Sequence, residues 1–133
     1  MVMPCEIAVK SVVPSIRAFI AIDITQSYQM KQNDVANILG ITQTAVSKYT
    51  RQVRGTVIKI GDSEEIRIMM QQITRQIADK KISQQDLALR FCQICQITRR
   101  NGLMCQLCKR ADTAIDVEAC QICKSISLNC NGL

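Results

Sequence analysis

Six of the eight cysteines stand as three C-x-x-C pairs, Cys92/Cys95, Cys105/Cys108 and Cys120/Cys123, and Cys130 follows after six intervening residues. Seven of the eight therefore crowd into the last 42 residues of a chain that has no histidine. Core packing does not account for thiols repeated at this spacing. Two thiolates three residues apart close on one soft metal centre, because a single turn of backbone brings both sulfurs to the same side. Region 92–133 is expected to hold metal. Cys5, alone near the start, reads as a buried thiol rather than a ligand.

The rest of the composition frames that expectation. At 133 residues the chain makes one ordinary domain or two small ones. Hydrophobic residues reach 47% but aromatics only 3%, with no tryptophan, so the core must be aliphatic. The start carries no signal-peptide pattern, because Glu6, Lys10, Arg17 and Asp23 interrupt its apolar runs, and no stretch approaches the ~20 apolar residues of a membrane span. A cytoplasmic protein without membrane association is the expectation. Reduced thiols in that compartment favour metal or redox work over a disulfide framework. Residues 1–61 carry seven Lys/Arg against three Asp/Glu, and residues 62–133 ten against eight. Metal-bound thiolates add negative charge to the second part, so the positive field belongs to the first and suits a polyanion such as nucleic acid.

Periodicity predicts a mainly α chain. Pro14-Ser15 opens a helix with Ile16, Phe19, Ile20 and Ile24 on one face. A short helix covers Asn33 to Leu39, Gly40 stops it, and Thr42 caps a third helix to about Arg51. Gly55 to Gly61 reads as a short strand or extended linker. Asp62 or Ser63 caps a fourth helix with the stripe Ile66, Met69/Met70, Ile73 and Ile77, and Ser83 starts a fifth whose Leu87, Leu89 and Phe91 lead into Cys92. Asn101-Gly102 marks a turn, and Asp112 to Val117 one more helical turn. Three segments follow: 1–61, basic and helical; 62–91, a helical linker and dimerisation segment; and 92–133, the cysteine-rich metal-binding tail.

Residues 31–50, KQNDVANILGITQTAVSKYT, carry a second signal. Ala36 is small where two helices cross, Gly40 supplies the turn, and Val35, Leu39, Ile41 and Val46 are the buried positions of a helical corner. Gln32, Asn33, Gln43, Thr44, Ser47 and Lys48 face outward, a polar set without a carboxylate. Over about residues 15–54 the pattern A-x-x-L-G-I-T-Q-x-A-V-S-x-Y resembles the Cro/repressor (XRE-type) helix-turn-helix, with Lys31 where that family often has a Ser or Thr cap. The resemblance implies that Gln43, Thr44, Ser47 and Lys48 read bases, and that Gln32, Thr42, Arg51 and Arg54 contact phosphates of double-stranded DNA. The plainer reading of the same residues is a helical corner with a solvated face.

Together with M-P-C-E-I-A-V-K-x-V-x-P-x-I-R-A near the start, the corner and the tail resemble a group of small archaeal transcriptional regulators expected to carry an iron–sulfur cluster. The first two parts are also similar to archaeal thiamine-phosphate-responsive regulators, which continue into a large ligand-binding domain. The resemblance favours a 4Fe-4S or 2Fe-2S cluster on the tail, sensing redox, oxygen or iron status. A structural four-cysteine zinc site is the alternative, and an electron carrier a third. Cys92, Cys95, Cys120 and Cys123 make one plausible ligand set, with Cys105 and Cys108 competing. Arg99-Arg100 and Lys109-Arg110 flank cysteine pairs, where they offset thiolate charge or touch DNA; solvated loops are the default reading. A homodimer is expected, with helix 63–79 as its seam. No catalytic constellation and no small-molecule substrate site is legible, so no enzyme is expected.

Overall fold

Ala8, Val12, Ile16, Ile20 and Ile24 recur every four residues and are all buried. That stripe makes one 24-residue helix, α1 (Pro4–Ser27). It begins ten residues before the expected start, with Pro4 at a first-turn position that needs no amide donor. Pro14 lies in its interior instead of opening it. An interior proline removes one amide donor and clashes with the preceding turn, at about 3 kcal/mol. Burial of Val12 alone, at about 1.5–3 kcal/mol, offsets most of this, and Ala8 extends the same buried face. The buried hydroxyls nearby are satisfied within the helix: Ser11 Oγ donates to the Ile7 carbonyl at 2.6 Å and Ser15 Oγ to the Ser11 carbonyl at 2.7 Å.

A computed structural model describes residues 3–51 and 59–125. The chain is mainly helical, and among the described residues no strand occurs. Two short helices, α2 (Gln32–Leu39) and α3 (Gln43–Thr50), are joined through Gly40, which adopts φ +68°. The Ala36 carbonyl accepts from the amides of both Gly40 and Ile41, closing the helix end. Thr42 Oγ1 accepts from the Ala45 amide at 3.0 Å and so caps α3. Val35, Ala36 and Val46 are buried, while Leu39 and Ile41 are only half-buried. The expected strand at 55–61 lies mostly outside the described residues, and its end, Ile60 and Gly61, belongs to a 3-10 turn instead, Ile60–Asp62.

Two longer helices follow, α4 (Glu64–Ala78) and α5 (Gln84–Arg100). Ser63 is the residue before α4 but makes no side-chain cap, whereas Ser83 Oγ accepts from the Asp86 amide at 3.1 Å. Ile66, Met70, Ile73 and Ile77 of α4 are buried against α1 and α5 within the same chain. The apolar stripe of the helix expected as a dimer seam is thus covered within the chain by α1 and α5. A single buried cluster runs from Ala8 to Met104. Gly102, at φ +74°, turns the chain after α5 into α6 (Cys105–Ala111), and a loop leads to α7 (Ile122–Ser125). α7 packs on α5, and α6 meets α1. Residues 112–117 form turns rather than the expected helical turn, because carboxylates take local amides: Asp112 Oδ1 accepts from Ala114 N and Asp116 Oδ1 from Glu118 N, both at 3.1 Å. No helix among the described residues is long and apolar enough to cross a membrane.

Candidate functional site

The cysteine pairs sit on different supports. Cys92 and Cys95 belong to the body of α5, Cys105 and Cys108 to the first turns of α6, Cys120 to the loop before α7, and Cys123 to α7. Gly102 and the α5–α6 turn fold the second pair back, and the α5–α7 contact brings the third pair to it. Cys105, Cys108, Cys120 and Cys123 line one cavity of about 220 Å³, together with Pro4, Met104, Ile115, Val117 and Arg99. Cys92 and Cys95 are not among the lining residues. From the sequence, the first pair groups with the third and the second competes; this cavity is lined by the second and third. α5 runs on past the first pair, so Cys95 stands about two turns and Cys92 nearly three turns before Gly102.

Electrostatics describe the same two groups. Burial pushes the Cys108 thiol above its ordinary value, and the neighbouring Cys123, Cys105 and Cys120 push it further, against the opposing pull of Arg99. Burial also raises the Cys95 thiol; Arg99 opposes this, and Cys92 and Cys5 add to it. Cys5 is exposed rather than buried, and its sulfur accepts from Arg99 Nη1 at 3.8 Å. Arg99 lies between the groups. It is 6% exposed, in the last turn of α5 and not in a solvated loop. Its Nε donates to Cys123 Sγ at 3.5 Å. Burial lowers its pKa, but the Cys123 acceptor and the charges of Cys123, Cys5 and Cys95 outweigh this and hold it above the ordinary value. Arg99 Nη2 is buried without a hydrogen-bond partner among the described residues.

Among the described residues no three of the cysteine and acidic side chains stand at the spacing of a closed metal site. No disulfide forms among the described cysteines. Cys130 lies outside the described residues. The donor set nevertheless suits a soft metal, since four thiols from two C-x-x-C pairs line one space with an orphaned buried donor beside it. The space is about seven times the ~30 Å³ share of a water molecule, so it accommodates a group of several atoms as well as a single ion.

The second candidate surface is the start of α3. Thr42, Gln43 and Thr44 are exposed, and Ser47 and Lys48, one turn on, are half-buried rather than fully outward. Gln43 Nε2 donates to Gln32 Oε1 at 2.6 Å, and Gln32 Nε2 reaches Thr50 Oγ1 at 3.5 Å, tying the start of α2 across α3. Arg51 is exposed and donates from Nε to the Ser47 carbonyl at 3.4 Å, while Arg54 lies outside the described residues. Sequence reasoning allowed Arg99 a part in offsetting thiolate charge but missed its burial and its contact with Cys5. One signal was present: Cys95 and Arg99 are four residues apart, hence on one face once α5 is extended through the pair.

The chain was compared with protein-family models, with curated proteins and with solved structures, and none of the three comparisons gives a match.

Proposed function

We propose that the protein is a sequence-specific DNA-binding transcriptional regulator of the Cro/repressor helix-turn-helix type, whose C-terminal cysteines hold an iron–sulfur cluster that responds to redox, oxygen or iron status. The thiol-lined cavity carries the metal part of this reading. Cys105, Cys108, Cys120 and Cys123 would be the ligands, and such a cluster supplies one-electron chemistry and sensitivity to oxidants when bound. The cavity has room for a cluster as well as for one ion. The part played by the chain's own residues is to supply four thiolates, to exclude water with Met104, Ile115 and Val117, and to place the positive charge of Arg99 beside them.

The DNA part rests on the corner between α2 and α3. Here Gln43 and Thr44, exposed at the start of α3, meet base edges in the major groove, with Ser47 and Lys48 a turn behind. The Gln32–Gln43 bond holds both helix starts in register for the backbone. Paired half-sites call for a homodimer, whose seam lies outside the internally buried stripe of α4.

A structural zinc site is the second reading, favoured by two C-x-x-C pairs on one cavity, which is the donor set of a closed four-cysteine site. Protein purified without oxygen separates the two. Iron with acid-labile sulfide and a broad visible band supports the cluster; stoichiometric, colourless zinc supports the scaffold. Metal of neither kind, together with no salt-dependent binding to duplex DNA, removes the proposal.

A further inference from the structure

The guanidinium of Arg99 is buried among sulfur atoms. Its Nε donates to Cys123 Sγ at 3.5 Å and its Nη1 to Cys5 Sγ at 3.8 Å. Its third nitrogen, Nη2, is buried without a partner, and the side chain lines the cavity. A guanidinium stays charged in a protein, and a buried charge among neutral groups is strongly unfavourable. Neutral thiols do not compensate it. Four thiolates around a divalent ion leave a net charge of about −2, and their sulfurs keep lone pairs for outside donors.

We propose that Arg99 is the charge partner and hydrogen-bond donor of the centre held by Cys105, Cys108, Cys120 and Cys123. Its Nε holds the Cys123 sulfur, its Nη2 finds its acceptor among the sulfurs of the loaded centre, and its Nη1 holds Cys5. The first turn of α1 thereby belongs to the shell around the metal. A guanidinium has no lone pair to offer, so Arg99 is a positioning residue and not a ligand. The inference rests on the metal reading of the cavity but is indifferent to whether one ion or a cluster fills it.

The test uses Co²⁺ alone as probe. Wild type, Arg99→Gln and Arg99→Lys are stripped with a chelator, checked for helical circular dichroism and titrated without oxygen. The glutamine variant is expected to hold Co²⁺ about 10–100-fold more weakly, with a shifted thiolate-to-cobalt absorption band. The lysine variant keeps the charge, loses the fork and falls between. Amides of residues 7–10 are expected to exchange more slowly on Co²⁺ binding in wild type and not in the glutamine variant. Variants that bind within twofold of wild type, with unshifted bands and the same exchange, overturn the inference and leave the metal reading standing. Should the glutamine variant fail to fold, the affinity and band of the lysine variant decide in the same way. Wild type that takes up neither Co²⁺ nor, on reconstitution, iron and sulfide overturns the metal reading and the inference with it.

Discussion

A thiol binds metal only after losing its proton, and burial works against that loss at Cys108 and Cys95. Both thiols are raised in the fold, so the metal-free native state binds more protons than the unfolded chain. The stability they contribute is present below the ordinary thiol value and is lost as pH rises through the raised folded value. Metal-free protein should therefore melt at lower temperature at pH 10 than at pH 7, and Cys108→Ala should shrink that difference. Metal uptake runs the other way. Affinity should fall as pH falls, by up to about tenfold per pH unit for each proton displaced. The cavity also ranks the cysteines. Cys108→Ser or Cys123→Ser should abolish stoichiometric metal, while Cys92→Ser, outside the lining, should retain it, as total-metal analysis will show. The C-x-x-C spacing names all six thiols, but it holds no information on which pairs meet. That choice depends on α5 running unbroken through Cys92 and Cys95, and on Gly102 reversing the chain afterwards.

At the scale of elements, the corner between α2 and α3 hangs on Gly40. Its φ of +68° is left-handed, and a Cβ there would meet nothing within 4 Å. Gly40→Ala should therefore destabilise through backbone strain alone, by about 1–2 kcal/mol in urea denaturation, without a packing defect. Pro14→Ala should do the reverse, restoring an amide donor inside α1 and stabilising the chain by up to about 3 kcal/mol. These two residues also explain which elements were legible. Thr42, Ser83 and Gly40 act through bonds to amides or carbonyls within a few residues, so the limits of α2, α3 and α5 can be read locally. Pro14 carries the local signal of a helix start, and only the burial of Ala8 and Val12 on α1, which packs against α4, α5 and α6, overrides it. Residues 112–117 have a weak helical pattern that side-chain bonds from Asp112 and Asp116 defeat.

On the scale of the molecule, α1 meets both candidate sites, the thiol cavity through Pro4 and the corner through α3. At 1.5 Å per residue its 24 residues extend about 36 Å. It packs against α3, and its first turn reaches Arg99 through Cys5. A change in the charge around Arg99 would act on the start of that rod, and α3 rests against the same rod. Binding to duplex DNA should first show the electrostatics of the corner. The two phosphate-contacting cations, Arg51 and Arg54, predict a slope of log affinity against log salt of about −2 per protomer, and Arg51→Ala should reduce it by about one. The coupling is then measured by fluorescence anisotropy on one operator fragment with metal-loaded and stripped protein. A regulator should show a difference of about 5–150-fold, the usual range for linked sites, and Cys5→Ala should diminish it while leaving metal content intact. Equal affinities in the two forms would make the metal a scaffold. The rod would then transmit nothing, and the signal that sets DNA binding would have to enter elsewhere in the chain.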